Sequence, residues 1–140
     1  MLALARCSLT KMYMKLLEIN GYNLAFEDRG IGKVILLIHG IPTSSFLYRV
    51  MITQLVDMGY RVIAPDLMGF GNSDKPSDLS KYTPSSHSEH IRLLMDHLNI
   101  QRWTHVVHDA GGPWSWSLIN DHPDRIENLV VLNTILYTEG

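Results

Sequence analysis

"VVHDAGGPWSW", Val106–Trp116, places an aspartate, Asp109, between the end of an apolar run and a pair of glycines. The apolar run reads as a buried strand, and Gly111 and Gly112 as a sharp turn into the next element. An acid at such a junction is either the cap of a following helix or a reactive group held out at the edge of a sheet. The stretch alone leaves both readings open.

Outward from it, Val34–Ile38 (VILLI), Arg61–Ala64 (RVIA), Trp103–Val107 and Leu129–Leu132 (LVVL) are short apolar runs. Such runs are expected of parallel strands covered on both faces. Helical spacing falls between them. It covers Ser45–Met58 (Phe46, Leu47, Val50, Met51 and Leu55), His87–Leu98 (Ile91, Leu94, Met95 and Leu98 inward) and Gly112–Asp121. Pro65–Ser85 is a long Gly/Pro/Asp/Ser-rich connection. Near the start, Lys15–Ile19 and Tyr22–Glu27 flank Asn20-Gly21, a strong hairpin signal, and Asp28–Lys33 reads as a turn. The alternation predicts an α/β fold with a mostly parallel sheet, made mixed by the antiparallel N-terminal hairpin. One domain over residues 15–140 is expected, after a tail at 1–14. Arg6 interrupts the tail's short apolar stretch and no proper cleavage site follows, so it reads as a tail and not a signal peptide.

With 140 residues the chain can bury a real core. Its charged fraction of 19% lies below the usual ~25% and favours a buried sheet. A net charge of −2 offers no electrostatic footprint for nucleic acid or an anionic membrane surface. No apolar run approaches the ~20 residues of a membrane helix. The single cysteine, Cys7, excludes an internal disulfide and fits a reducing, cytoplasmic compartment.

Sheets of this kind react at the carboxyl ends of their strands. His39-Gly40, Asp66, Asp109 and Asn133 all fall there. Asp109-Ala110-Gly111 has the layout of a nucleophile elbow, although the chain has no G-x-S-x-G. A carboxylate nucleophile suits attack on sp³ carbon, where it displaces a leaving group and becomes an ester. In "HGIPTSS" (His39–Ser45) the loop after VILLI can aim the Ile41 N–H at a developing oxyanion, with the Ala110 N–H as second donor. The plainer reading is a tight loop capped by Thr43 or Ser44. "DLMGFGNSDKP" (Asp66–Pro76) lacks the third glycine and the immediate helix of a dinucleotide site, so it reads as a structured loop. His87 and His90 share a helix without a third ligand at a known spacing, and His105 and His108 point to opposite faces of a strand. Each is expected to be solvated or packed, and no metal or cofactor is expected. Trp103, Trp114 and Trp116 are expected in the core or a pocket wall.

HGIPTSSFLYR (His39–Arg49), PDLMGFGNSDKP (Pro65–Pro76), VVHDAGGP (Val106–Pro113) and HPDRIENLVVLNT (His122–Thr134) together resemble the α/β-hydrolase fold. The resemblance is to haloalkane dehalogenases and their epoxide-hydrolase relatives, over about residues 15 to 138. It implies that Asp109 is the nucleophile and forms an alkyl-enzyme ester on a small apolar organic substrate. The Ile41 and Ala110 amides then hold the oxyanion while a histidine, activated by a second acid, directs water onto the ester. Haloalkane dehalogenases usually grip the halide with a Trp after the nucleophile and often an Asn in the HG-x-P loop, where this sequence has Ala110 and Ile41. Asn133 stands where one branch of them carries its acid. The resemblance also implies a cap domain, further strands and a histidine beyond Gly140. The chain is therefore expected to be the N-terminal half of such a hydrolase, inactive by itself and prone to associate through the exposed edge of its sheet. Alternatives are an epoxide hydrolase or other α/β-hydrolase, and, in another class, a noncatalytic binding protein built on half the fold.

Overall fold

The computed structural model describes residues 14–135. The expected tail and its Cys7 lie outside them, apart from Met14, which opens the first strand opposite Glu27. β1 (Met14–Ile19) and β2 (Tyr22–Arg29) form the expected hairpin, with Ile19 opposite Tyr22. Asn20 and Gly21 take φ of 52° and 83°, which a two-residue turn needs to match the twist of its strands. β2 continues through Asp28 and Arg29, into the segment expected to turn. Asp28 holds it there, accepting from Lys15 Nζ and Arg61 Nε at 2.8 Å each, and the chain turns only at Gly30.

β3 (Val34–Ile38), β4 (Arg61–Pro65), β5 (Trp103–His108) and β6 (Ile126–Leu132) complete a six-stranded sheet among the described residues, in the order β1-β2-β4-β3-β5-β6. β4, β3, β5 and β6 are mutually parallel and β2 joins β4 antiparallel, so the sheet is mixed as expected. Helices cover both faces. On one, Leu36 and Ile38 pack with Ile91, Leu94 and Met95 of α2 (Pro84–His97) and Leu118 of α3 (Trp116–Asp121). On the other, Ile35 and Leu37 pack with Tyr48 and with Ile52 of α1 (Arg49–Asp57). The unbroken VILLI run is the signature of this double coverage: odd and even positions are both buried, each large side chain contributing roughly 1.5–3 kcal/mol.

Three expectations about helices are corrected. Ser45–Tyr48 is a 3-10 turn, and α1 begins only at Arg49. The inward positions there are Tyr48 and Ile52, with Leu55 and Val56 packed beside them, whereas Phe46, Leu47, Val50 and Met51 are exposed. α2 starts at Pro84, earlier than expected, because the Thr83 hydroxyl caps it by accepting the Ser86 N–H and proline suits a first turn. α3 starts late, at Trp116, leaving Asp109–Ser115 as a run of tight turns. β6 begins at Ile126, ahead of the LVVL run.

Candidate active site

β5 delivers Asp109 to the carboxyl edge of the sheet and leaves it with φ 52°. For a residue with a Cβ this left-handed backbone costs about 1–2 kcal/mol, so its surroundings must hold it. They do so from the segment just past β6: the Asp109 N–H donates to the Asn133 carbonyl at 3.2 Å, and the Thr134 hydroxyl donates to the Asp109 carbonyl. A third constraint is steric. A Cβ on Gly111 would fall 2.7 Å from the carbonyl oxygens of Ile38 and His39, so only glycine lets the turn pass the end of β3 so closely.

The Asp109 carboxylate does not cap a helix. Its Oδ1 accepts the Ile41 N–H at 2.9 Å, across 68 residues of sequence. The Ile41 amide, and after it the Ala110 amide, hold the Asp109 carboxyl below the usual carboxylate range. Gly40 makes the approach possible, since a Cβ there would strike Asp109 Cβ and lie 2.5 Å from Oδ1. The loop is also a capped turn, as its plainer reading held. Ser44 Oγ accepts the Phe46 N–H, and the Thr43 hydroxyl donates to the Gly40 carbonyl.

His39 fixes this loop from below. Its ring is fully buried, Nε2 accepts the Leu67 N–H at 3.0 Å, and Nδ1 lies 2.9 Å from the Gly40 carbonyl. A ring that accepts at Nε2 donates at Nδ1, so His39 is neutral, and burial lowers its pKa accordingly. Asp66, the remaining strand-end acid, is turned away from Asp109. Its Oδ1 accepts the Ser45 N–H and its Oδ2 the Asn72 N–H, at 2.8 and 2.7 Å. It organises the 66–76 loop, whose Gly69 and Gly71 both have positive φ. Of the four strand ends, three therefore meet: Gly40-Ile41, Asp109 and Asn133. Asn133 takes part through its backbone.

Among the described residues no histidine nitrogen is hydrogen-bonded to the Asp109 carboxylate. His87 and His90 are packed inside α2, with the His87 ring centroid 4.6 Å from that of Trp114. Burial lowers both, His87 to about 4. His105 is fully buried and lowered to about 3 by burial. Trp103 and Trp114 are core residues and Trp116 packs against the core. Thr134 was not singled out in the sequence. Its only signal there is a hydroxyl residue just past a strand end.

A mixed sheet with an acid on a strained strand-to-helix turn, facing a backbone amide on a neighbouring loop, is the arrangement of an α/β hydrolase. The alpha/beta hydrolase fold family matches residues 33–139, and the chain belongs to it. Among curated relatives, a haloalkane dehalogenase of Mycolicibacterium paratuberculosis is 46% identical over 107 residues, covering 76% of this chain and 36% of the relative. An epoxide hydrolase of Caballeronia sordidicola is 35% identical over 121 residues, covering 86% and 37%. In three dimensions an epoxide hydrolase from Vigna radiata superposes with a TM-score of 0.87 at 31% identity, over 96% of this chain and 42% of that one. The chain thus spans less than half the length of these relatives. No helix among the described residues is long and apolar enough to cross a membrane.

Proposed function

We propose that Asp109 is the nucleophile of a haloalkane dehalogenase-like reaction, in which this chain supplies the ester-forming half. One carboxylate oxygen attacks an sp³ carbon, the carbon–halogen bond breaks, and the halide leaves with the bonding pair. The product is an alkyl ester on Asp109. Water then adds to the ester carbonyl, whose oxygen becomes an oxyanion held by the Ile41 and Ala110 amides. That second step needs a base, and among residues 14–135 no histidine nitrogen is hydrogen-bonded to the Asp109 carboxylate. The observation that carries the reading is the Ile41 N–H to Asp109 Oδ1 hydrogen bond at a left-handed aspartate. It joins the two motifs at the atom that reacts.

A second reading, epoxide opening by the same aspartate, is favoured by the Ile41 and Ala110 side chains. Neither carries a hydrogen-bond donor for a departing halide. Here the carbon–oxygen bond breaks and the alkoxide takes a proton from water. We further propose that the chain alone gives at most one equivalent of product, and that copies associate through β6.

The 140-residue chain incubated with 1-bromobutane or styrene oxide, digested and weighed, tests these readings. An adduct on Asp109 from 1-bromobutane with bromide release, lost in Asp109→Asn, is the expected result. An adduct from styrene oxide alone selects the second reading. No adduct from either refutes the nucleophile and leaves a noncatalytic binding role.

A further inference from the structure

We infer that His105 is a positioning residue for the nucleophile turn, acting through a buried hydrogen-bond chain that runs Trp103–His105–Ser115. The inference rests on the proposed role of Asp109. His105 lies on β5, within the same strand that delivers Asp109, and no part of it reaches solvent. Its Nδ1 accepts the Trp103 indole N–H at 3.0 Å, and its Nε2 lies 3.0 Å from Ser115 Oγ. An indole nitrogen can only donate. Trp103 therefore fixes the tautomer: the His105 ring is neutral, with its proton on Nε2 and directed at the Ser115 hydroxyl.

Ser115 occupies the position before α3 where a serine would ordinarily cap the helix. Its hydroxyl makes no capping bond; it faces His105 instead. The Ser115 N–H meanwhile donates to the Gly112 carbonyl at 2.8 Å, and its carbonyl accepts the Ile119 N–H at 3.0 Å. Ser115 is thus the far anchor of the irregular run that begins at Asp109. Asn133 and Thr134 hold the near end, and Ser88 Oγ, 2.7 Å from the Trp114 carbonyl, holds the middle. Turns without continuous helical hydrogen bonds have little stiffness of their own. The His105–Ser115 bond supplies it by tying the start of α3 back onto the strand that carries the nucleophile. Behind it, the Arg125 guanidinium stacks 4.8 Å from the Trp103 ring and donates to the Ile100 carbonyl, so the indole has little room to move away.

If the tether is cut, Asp109 loses register with the Ile41 amide, its carboxyl titration rises toward the ordinary value, and ester formation slows. Three proteins are compared at full chain length: wild type, His105→Leu, which keeps an apolar filling, and His105→Gln, which keeps a side-chain donor and acceptor. Asp109 is titrated by carbon-13 NMR, and the rate of adduct formation with 1-bromobutane is followed by mass spectrometry. Expected for His105→Leu are a raised Asp109 midpoint and a roughly tenfold slower adduct, since misaligned reactants forfeit orientation, with His105→Gln recovering most of both. An unchanged midpoint and rate in folded His105→Leu overturns the inference. Nitrogen-15 NMR of wild-type protein tests it even where the variant does not fold. A proton on Nδ1, or a ring that titrates near an ordinary histidine value, overturns it as well. Wild-type protein that forms no adduct refutes the nucleophile reading instead, and the Asp109 midpoints still decide the role of His105.

Discussion

Acidifying the protein from pH 7 to pH 5 should destabilise it through its buried histidines, His105 and His87 foremost, with His39 and His90 acting in the same sense. His105 and His87 are 0% and 1% exposed, so solvent screening does little to reduce their effect. Burial lowers them from 6.5 to about 3 and about 4. Once unfolded, each regains an ordinary pKa near 6.5. Below that pH the unfolded chain binds more protons than the folded one, so the stability present above pH 6.5 is lost as the pH falls toward the folded values. At pH 5 the gap is about 1.5 pH units for each ring, and at 1.36 kcal/mol per unit each costs about 2 kcal/mol. Together they remove about 4 kcal/mol from a domain whose total is typically about 5–15 kcal/mol. Glu27 acts in the opposite sense: its carboxyl is raised by burial, so protonation on acidification favours the fold. Urea unfolding followed by tryptophan fluorescence at pH 7, 6 and 5 measures the slope, and His87→Leu should remove about 2 kcal/mol of the loss at pH 5. Midpoints that do not move between pH 7 and pH 5 would refute the account of neutral buried rings.

Gly40→Ala should push the loop off Asp109, because the new methyl meets Asp109 Cβ and Oδ1. The Asp109 carboxyl should then titrate nearer an ordinary aspartate by NMR, and an unchanged titration would show that the loop can yield. Val130→Lys should reduce self-association, since β6 ends the sheet among the described residues and Leu129, Val130 and Val131 are 42%, 40% and 38% exposed. A charge on such an edge opposes strand addition. Sedimentation over a range of concentrations reads the result, and equal association in both proteins would place the contact elsewhere.

The elements most legible in the sequence are those fixed by period and by turn chemistry. VILLI and RVIA are buried on both faces because the sheet is covered twice, and Asn20-Gly21 takes the left-handed backbone that asparagine tolerates and glycine adopts freely. The strained turn at Asp109 was legible as a placement, an acid between an apolar run and glycines. Its contacts were not, because the Ile41–Asp109 bond spans distant parts of the chain and pairs a backbone donor with a side chain. Apolar spacing misled where the 3-10 turn before α1 rotates the helix face, leaving Phe46 and Val50 outside and Tyr48 and Ile52 inside. The late start of α3 was hidden because Gly112 can end a turn and Pro113 is tolerated in a first helical turn, so a helix from Gly112 fits the local sequence as well as the observed turns. The Ser115 hydroxyl is drawn to His105, a partner that no local pattern reveals. Asp66, like Asp109, is an acid at a strand end, yet its oxygens serve the loop and not the site. Asn72 and Ser45 claim its oxygens because the 66–76 loop folds back over it.

The two amides at Asp109 bear unequally on the two halves of the proposed reaction. Before attack they face a carboxylate and stabilise it, which is why its pKa is low. Stabilising the reacting anion does not by itself accelerate ester formation, because the charge leaves Asp109 in that transition state. In the ester the same oxygen is a neutral carbonyl and a weaker acceptor. When water adds, that oxygen becomes an oxyanion and the Ile41 and Ala110 bonds strengthen, which lowers the barrier; one such donor is typically worth about 2.7–4 kcal/mol. On this mechanism the amides serve chiefly the hydrolytic half, and what Asp109 needs for the first half is orientation. The sequence devotes Gly40, Gly111, Asn133 and Thr134 to that orientation, at a residue whose backbone is strained. On the proposed mechanism these residues favour the ester-forming step, and turnover needs a base, for which no described histidine is hydrogen-bonded to the Asp109 carboxylate.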